Sequence, residues 1–378
     1  MLKTVLHIAE APGGVERYLV TLLTKMKKYP EFEHILVCST TFNKEKFRGL
    51  VKSVAVIPDM YNAISVSDIK AVAAVRKAIK YYKPDIVYCH SSKAGAIGRI
   101  ADIGIKNKLI YNAHGWSFNI KGANYIKIKS YEVVERMLAP MTDTIVCISE
   151  YEKKSALEHK ICKEKKLVVI NNGIDFDEFK NLKLKKREEL NIPKEAFVVG
   201  TIGRLTTQKA PDVFVKMARI VKDRIPNVFF IMVGDDIGGG NFRRKIENQV
   251  KEAQLEESFL ITGWVDDPLD YEGLFDIGVL LSRWEGFGLV LPEYMYMGKP
   301  IVATKVDAIP CVVGDAGLLV DADDYKKAAE FVIKLNEDNE LRDHVIAEGK
   351  ERVKMFDVKR TADTHIRIFE KILTEGAQ

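Results

Sequence analysis

Two carboxylates separated by seven residues stand in Trp284-Glu285-Gly286-Phe287-Gly288-Leu289-Val290-Leu291-Pro292-Glu293. Glu285 follows an apolar run at 277–281, and Glu293 falls on a helix that Pro292 can begin. The stretch predicts a strand, a loop and a helix in that order, which is the edge of a parallel sheet where ligands bind. A loop acid can accept hydrogen bonds from sugar hydroxyls, and a helical acid can hold a diol. The alternative is a loop acid beside a helix-start acid placed for the helix dipole.

Short apolar runs alternate with longer amphipathic stretches on both sides of this segment along the chain. Strand candidates before residue 180 are 35–37, 86–88, 144–147 and 167–170, and those after residue 193 are 197–201, 228–234, 259–261, 277–281 and 300–303. Helix candidates include Ser67–Tyr82 and 212–223. Strand and helix repeated in two blocks predict an α/β fold with two parallel-sheet domains.

A lysine-rich, strand-poor stretch separates the two blocks. We predict an N-terminal domain over 1–175, a linker over 176–194 and a C-terminal domain over 195–357. The chain has 378 residues, and roughly 100–200 residues per domain is usual.

Composition indicates the cellular compartment that the protein occupies. The five cysteines are scattered without a C-x-x-C pair, which favours a reduced, cytoplasmic protein over a disulfide framework or a zinc site. No uninterrupted apolar run is long enough to predict a membrane-spanning helix, and the first ten residues resemble a buried strand more than a signal peptide.

Charge is distributed unevenly along the chain. Residues 1–180 carry 29 Lys/Arg against 19 Asp/Glu, or +10, and the remainder carries 29 against 34, or −5. Two clusters in the basic half mix lysines with tyrosine and isoleucine: 76–83 and 121–129. This mixture predicts peripheral contact with an anionic membrane. Scattered lysines that only confer solubility are the alternative. Nucleic acid is not expected, because no recognition motif accompanies the basic half.

Two further loops follow predicted strands and suit phosphate. Gly13 and Gly14 lie at a strand-to-helix turn, where backbone amides can approach an anion. Gly203 and Arg204 precede Lys209 in a loop that enters a helix, and two cations beside helix amides suit a diphosphate. A tight turn without ligand and an exposed solvated pair are the respective alternatives.

Histidines and acids also follow strands. His90 and His114 end strand-like runs and are candidates for the ligand edge, although a lone histidine is more often structural. The other five histidines, His7, His34, His159, His344 and His365, show no recognisable pattern. Asp235 and Asp236 lack a third metal ligand nearby, so we interpret them as a solvated turn.

Taken together, these motifs resemble the retaining GT-B glycosyltransferases of family 4. Glu285 and Glu293 match that family's E-x7-E motif, the Gly13 loop resembles its N-terminal glycine loop, and Arg204 with Lys209 resembles its diphosphate-binding pair. Residues 90–95 and 113–116 resemble the branch of the family that makes bacterial capsules and exopolysaccharides. One departure is the run Asp307-Ala308-Ile309-Pro310-Cys311, where the family usually has a glycine pair and then Pro-Glu.

The resemblance implies two Rossmann-like domains that face each other across a cleft, with helix 358–378 crossing back to the first domain. It implies catalytic roles for Arg204, Lys209, Glu285 and His114. It implies acceptor binding by His90, Ser91 and Lys93, with Lys93 also explicable as a helix-start lysine. It implies donor binding by Gly13, Gly14, Gly203, Trp264, Val265, Gly286, Phe287, Gly288, Leu289 and Glu293.

The implied reaction is metal-independent, cofactor-free and retaining. It transfers a sugar, with an N-acetylated hexosamine or a deoxyhexosamine as candidates, from a UDP-sugar to an undecaprenyl-diphosphate-linked sugar at the inner face of the cell membrane. Alternatives are a family member with a soluble acceptor and a non-catalytic sugar-nucleotide-binding protein. A nicotinamide dehydrogenase is disfavoured, because no G-x-G-x-x-G follows a predicted strand.

Overall fold

The computed structural model describes residues 2–10, 13–60, 67–122, 124–236 and 240–375. The chain divides into two compact units. The N-terminal unit comprises residues 1–173 and 357–378, and the C-terminal unit comprises residues 174–356.

The N-terminal unit contains a seven-stranded parallel sheet in the order β3-β2-β1-β4-β5-β6-β7. Its strands are β1 Lys3–Ala9, β2 Phe32–Cys38, β3 Ser53–Val56, β4 Ile86–His90, β5 Lys108–Asn112, β6 Thr144–Cys147 and β7 Leu167–Val169. Its α-helices are α1 Gly14–Met26, α2 Ser67–Tyr82, α3 Ser92–Ala101, α4 Tyr125–Leu138 and α5 Glu150–Glu158, and the chain's last helix Val358–Thr374 also belongs here.

Helices cover both faces of this sheet, so its central strands are apolar on both sides. One layer places α1 and the last helix on strand residues such as Val5 and Tyr88. The other layer packs α2 and α3 on residues such as Ile8 and Cys89. Gly98 of α3 has no room for a side chain, because a Cβ there would overlap the Cys89 sulfur. The glycine therefore sets how closely α3 approaches the sheet.

The C-terminal unit contains a six-stranded parallel sheet in the order β10-β9-β8-β11-β12-β13. Its strands are β8 Phe197–Ile202, β9 Val228–Val233, β10 Phe259–Ile261, β11 Ile277–Leu280, β12 Ile301–Thr304 and β13 Gly317–Val320. Its α-helices are α6 Pro211–Arg224, α7 Asn241–Glu252, α8 Leu269–Glu272, α9 Val290–Tyr296, α10 Ile309–Val313, α11 Tyr325–Glu337 and α12 Asn339–Arg352, so the chain's last helix is α13.

Two strand glycines in this unit make room for aromatic rings. A Cβ at Gly200 would overlap the ring of Phe275, and a Cβ at Gly278 would overlap the ring of Tyr294. The Tyr294 hydroxyl accepts a hydrogen bond from Ile202 N at 3.1 Å. This contact joins α9, which carries Glu293, to the end of β8.

The observed elements confirm the predicted α/β fold. The runs at 144–147 and 259–261 coincide with β6 and β10, and the helix predicted over Ser67–Tyr82 is α2. The stretch at 176–194 contains the short 3₁₀ helices Glu178–Asn181 and Arg187–Leu190 and lies in the C-terminal unit. Within the described ranges, no helix combines the length and apolar character needed to cross a bilayer.

Candidate active site

The loop from Gly203 to Ala210 connects β8 to α6 and carries two of the predicted cations. Arg204 is exposed and makes no hydrogen bond or ion pair with the described part of the chain. Lys209 instead lies along the loop, where its aliphatic stem would be 3.4 Å from a Cβ at Gly203. One cation therefore points toward solvent and the other is held within the unit.

A neighbouring loop supports the backbone beneath these cations. Gly203 N donates to Val233 O at 3.0 Å, and Leu205 N donates to Asp235 O at 2.9 Å. Gly234 approaches so closely that a Cβ there would overlap the Gly203 carbonyl oxygen. Its φ of 135° is also one that L side chains rarely adopt. Only glycine fits at position 234 without moving the Arg204 loop.

Glu285 lies at the centre of the site. Its carboxylate accepts hydrogen bonds from Lys209 Nζ and, at 3.2 Å, from Ser282 Oγ. Its backbone N donates to Asp307 Oδ2 at 2.9 Å. The Asp307 run, which departs from the family's usual sequence, thus contacts the backbone of the Glu285 loop. Asp307 also has a positive φ of 47°, which costs about 1–3 kcal/mol and marks a constrained turn.

Arg283 ties the Lys209 loop to the Glu285 loop. Its guanidinium donates to both carboxylate oxygens of Asp212, at 2.7 and 3.1 Å, and to Thr207 O at 2.9 Å. It also donates to Asp323 Oδ1 at 2.8 Å. The pKa of Asp212 is lowered because the hydrogen bond and charge of Arg283 outweigh the desolvation that would raise it. We call this arrangement of Arg283, Asp212, Thr207 and Asp323 the Arg283 clamp.

The second acid of the motif is on the first turn of α9. Glu293 is only 1% exposed. The turn before α9 depends on Gly288, whose φ is 81° and whose added Cβ would lie 3.0 Å from Leu291. Phe287 is buried, with its ring edge-on to Phe356 at a centroid distance of 5.6 Å. Gly288 and Phe287 together fix the path between Glu285 and Glu293.

In the N-terminal unit, four histidine rings form a continuous chain of hydrogen bonds. His34 Nδ1 and His7 Nε2 are 3.0 Å apart, His7 Nδ1 and His90 Nε2 are 3.1 Å apart, and His90 Nδ1 and His114 Nε2 are 3.1 Å apart. We call these four residues the histidine chain. It crosses the sheet from β2 through β1 and β4 to His114, which lies two residues beyond the end of β5.

Burial keeps the histidine chain uncharged. Desolvation lowers the pKa of His34 to about 4 and that of His114 to about 3. Desolvation also puts the pKa of His7 and of His90 well below the ordinary value. His365 lies beside the chain, bonded to the hydroxyls of Tyr18 and Tyr88, and burial lowers its pKa to about 4. At neutral pH the rings act as neutral hydrogen-bonding groups.

Two residues with strained backbones lie just after neighbouring strands at this edge. Ser91 follows β4 with a φ of 77°, and His114 follows β5 with a φ of 52°. The Ser91 hydroxyl donates to the buried carboxylate of Glu10, which also accepts from Ala94 N at 3.3 Å. Such conformations cost about 1–3 kcal/mol each and gather at functional sites. This edge of the N-terminal sheet is therefore a candidate ligand site.

Comparison with known families covers nearly the whole chain. The model described as Glycosyltransferase Family 4 matches residues 12–178, and the model described as Glycosyl transferases group 1 matches residues 183–352. The chain belongs to glycosyltransferase family 4. It is therefore a transferase of sugars, and its two parallel-sheet domains have the GT-B fold.

This glycosyltransferase has relatives among bacterial proteins. It is 30% identical over 340 residues to an uncharacterized 41.2 kDa protein in the cps region of Klebsiella pneumoniae, covering 87% of this chain and 88% of that protein. It is 28% identical over 296 residues to an Escherichia coli UDP-Gal:alpha-D-GlcNAc-diphosphoundecaprenol alpha-1,3-galactosyltransferase, covering 75% of each. Among solved structures, Anabaena Alr3699/HepE in complex with UDP superposes with a TM-score of 0.81 at 21% identity, covering 97% of this chain and 100% of the other.

Within the glycosyltransferase, the C-terminal unit brings together Gly203, Lys209, Glu285 and the Phe287–Leu289 turn. Trp264 and Val265 follow β10; Trp264 is 59% exposed and Val265 half-buried. The interpretation of Asp235 and Asp236 as a solvated turn is wrong. Asp235 pairs with Arg243 at 2.8 Å, and buried Asp236 accepts from Gly240 N, Phe242 N and Arg243 N at the start of α7. These acids position a helix.

The predicted residues of the N-terminal unit have different surroundings. Gly13 and Gly14 are exposed at the start of α1. Lys93 pairs with Asp68 at 2.6 Å and is mostly buried. His90 has no exposed surface, so its ring reaches a ligand only through His114. His7, His34 and His365 showed no recognisable pattern in the sequence, yet the structure places His7 and His34 in the histidine chain and His365 beside it.

Proposed function

We propose that this glycosyltransferase moves a sugar from a UDP-sugar to an undecaprenyl-diphosphate-linked acceptor, with retention and without metal, during capsule or exopolysaccharide synthesis. The observation that carries the proposal is the outward face of α4, which is apolar and basic where an ordinary surface helix is polar. The galactosyltransferase relative, whose name includes UDP-Gal and diphosphoundecaprenol, supports both substrate classes.

The chemistry follows from residues of the C-terminal unit. Arg204 offers an unoccupied guanidinium for the diphosphate, and guanidinium binds phosphate oxygens through two parallel hydrogen bonds. The Lys209–Glu285 pair places an ammonium beside a carboxylate that accepts hydrogen bonds from sugar hydroxyls. In a retaining transfer the acceptor oxygen forms its bond to the anomeric carbon as the bond to the diphosphate breaks. The acceptor's proton goes to the leaving phosphate oxygen. Within the described ranges no cluster of His, Cys, Asp and Glu suits a metal ion.

Helix α4 reverses the usual arrangement of a surface helix. Its carboxylates Glu132 and Glu135 face inward, and Glu135 accepts from buried Arg99 at 2.8 Å. Its large apolar side chains face solvent, with Ile126 76% exposed and Met137 68% exposed. Tyr125, Val133 and Val134 share this exposure, and Lys127 and Lys129 lie among them. An exposed apolar surface edged by lysines suits a peripheral contact with anionic lipid.

Only part of the two predicted basic clusters belongs to this surface. Arg76 donates to the carbonyls of Ala101 and Ile103, both at 2.7 Å, and so closes the turn after α3. Tyr82 bonds to Ser53 Oγ at 2.9 Å. Tyr81 and Lys80 remain exposed at the end of α2. The α4 face is the stronger candidate for lipid contact.

Replacing Ile126 and Met137 together by glutamate is expected to abolish binding to vesicles of phosphatidylglycerol and phosphatidylcholine. Each large apolar side chain contributes about 1.5–3 kcal/mol when buried, so the double variant should lower the partition coefficient by roughly 100-fold or more. Co-sedimentation at low salt measures this, and wild-type binding should weaken at about 0.5 M salt because charge attraction is screened.

Met355→Glu is the matched control, because Met355 is also exposed but lies in the C-terminal unit. It should bind vesicles like the wild type. A wild-type protein that fails to bind anionic vesicles at low salt would contradict the lipid-linked acceptor and favour a soluble one.

Glu293→Gln is expected to weaken UDP binding by about 10–100-fold, since hydrogen bonds to a charged group contribute roughly 1.5–3 kcal/mol. The amide keeps the shape but has no charge and only one acceptor oxygen, so it cannot offer one oxygen to each hydroxyl of a ribose diol. Calorimetry with UDP, GDP and ADP in the absence of added metal measures the effect and identifies the base. Glu257→Gln, at an exposed position of the same unit, should bind like the wild type. Equal affinity of Glu293→Gln and wild type would remove Glu293 from the nucleotide site.

A further inference from the structure

The histidine chain follows a regular diagonal across the N-terminal sheet. His34 pairs in register with Val5, and His7 is two residues beyond Val5. His7 pairs with Tyr88, and His90 is two residues beyond Tyr88. His90 pairs with Asn112, and His114 is two residues beyond Asn112. Each step moves one strand sideways and two residues toward the carboxyl edge, so the rings meet in single file beneath α1 and α13.

Because the four rings are bonded in a linear series, their N–H protons can be placed in only two ways. A neutral imidazole carries one N–H and one lone pair, and each ring–ring hydrogen bond needs one of each. If His114 donates from Nε2 to His90, then His90 donates to His7 and His7 donates to His34. If His34 donates from Nδ1 to His7, every bond runs the other way. The four tautomers are therefore coupled, and any intermediate pattern would place two N–H groups or two lone pairs against each other.

The two arrangements differ at both ends of the chain. His34 Nε2 is buried with no partner among the described residues. It is an unpaired donor in one arrangement and an unpaired acceptor in the other, and either costs about 1–3 kcal/mol. That end therefore does not decide between them. The intrinsic preference between tautomers decides between the two arrangements. The first arrangement puts the proton on Nε2 of all four rings, which is the form that neutral histidine favours in water. The second arrangement requires the disfavoured Nδ1–H form in all four rings.

We propose that His34, His7 and His90 are positioning residues that hold His114 neutral, with its proton on Nε2 and a lone pair on Nδ1. His114 Nδ1 makes no hydrogen bond to the described part of the chain, and His114 lies beyond the end of β5 at the candidate ligand edge. His114 consequently accepts a hydrogen bond at Nδ1 from a ligand O–H group. That the ligand is a sugar hydroxyl rests on the proposed function, whereas the tautomer does not.

The tautomers can be measured in the whole chain without ligand. Selective ¹⁵N labelling of histidine and long-range ¹H–¹⁵N correlation at neutral pH distinguish protonated from unprotonated ring nitrogens, and His→Gln variants assign the signals. His7, His34, His90 and His114 are all expected to carry the proton on Nε2. A proton on Nδ1 of His114, a mixture of its tautomers or an imidazolium at His114 would overturn the proposal.

Breaking the chain tests the positioning. His90→Leu removes the ring–ring hydrogen bond of His114, and His7→Leu leaves His114 coupled to His90 alone. With fewer rings favouring the Nε2–H form, His114 is expected to become a mixture of two tautomers in both variants. His344→Gln, an exposed histidine of the C-terminal unit, should leave the His114 signals unchanged. A single Nε2–H tautomer of His114 in a folded broken-chain variant would also overturn the proposal, and the wild-type spectrum decides the tautomer even if both variants fail to fold.

Calorimetry with UDP on the same samples keeps the two hypotheses apart. The proposed function assigns the ribose to Glu293 of the C-terminal unit, so absence of UDP binding would count against that function and leave the tautomer measurement intact. A variant with altered His114 signals is expected to bind UDP normally. That result would mean that the altered tautomer leaves the nucleotide site unchanged, as the positioning role requires.

Discussion

Arg204→Ala is expected to lower kcat by a factor on the order of 10²–10³, by analogy with the loss of one preorganised donor to a developing negative charge. Arg204 is exposed and makes no hydrogen bond or ion pair within the described residues. Its removal therefore leaves the fold unchanged and deletes only an interaction with the ligand. The diphosphate gains charge as its bond to the sugar breaks, so the loss is larger in the transition state than in the bound donor. Steady-state kinetics with the UDP-sugar identified by calorimetry separates kcat from KM.

Two further variants sharpen the Arg204 test. Arg204→Lys keeps the charge but loses the planar fork of donors, so it should recover only part of the rate. Arg224→Ala removes the same charge from the far end of α6, where Arg224 is exposed and bonded to Glu337 at 3.4 Å, and should retain full activity. Arg204→Ala with an unchanged kcat would exclude Arg204 from catalysis.

Lowering the pH from 7.5 to 5.5 is expected to decrease the free energy of unfolding of the N-terminal unit by about 5 kcal/mol. The folded pKa is about 4 for His34 and His365 and about 3 for His114, and it lies well below ordinary for His7 and His90. Below about pH 6.5 the unfolded chain binds protons that the folded chain does not, so stability present above that pH is lost as the pH falls.

Buried acids work in the opposite direction, because burial raises the pKa of Glu10 and of Asp102 as well as that of Glu152. Burial raises the pKa of Glu152 to about 7, so the folded state takes up this proton first and gains roughly 2 kcal/mol of stability over the same pH interval. The figure of about 5 kcal/mol already includes this offset. Calorimetric unfolding at pH 7.5, 6.5 and 5.5 measures the net effect, which the histidines dominate.

A variant pair assigns the pH effect to the buried rings. His34→Gln removes one of the five buried histidines and should flatten the pH dependence by about 1.4 kcal/mol per pH unit below pH 6.5. His344→Gln removes an exposed histidine and should leave it unchanged. Equal stability at pH 7.5 and 5.5 would show that the rings are protonated in the folded protein.

The fold was predictable because its strands are buried on both faces. Such strands are continuous apolar runs, and β6 and β10 coincide with the runs found in the sequence. Glu285 and Lys209 could likewise be placed at one edge of a sheet, because each follows a recognisable strand. Their mutual ion pair was not predictable, since it depends on how two separate loops fold back.

The histidine chain was not predictable from spacing. His7, His34, His90 and His114 are separated by 27, 56 and 24 positions, and only the sheet order and register bring their rings together. A register shifted by one residue would turn each ring to the opposite face. The α4 face was predicted only in part. Val133, Val134 and Met137 are apolar, so the sequence suggests that they are buried, and only the structure shows that Glu132 and Glu135 occupy the inward positions instead.

The Arg283 clamp has a consequence for exchanging sugar specificity between enzymes. Arg283 bonds to Thr207 in the loop that carries Lys209, to Asp212 in the first turn of α6 and to Asp323 in the turn after β13. A Glu285 segment transplanted alone would therefore lose these hydrogen bonds. Asp307 also accepts a hydrogen bond from the backbone of the Glu285 segment, so residues 203–212, 282–293, 307 and 321–323 depend on one another. We expect chimaeras that move all four pieces together to keep the site, and chimaeras that move one piece to lose it.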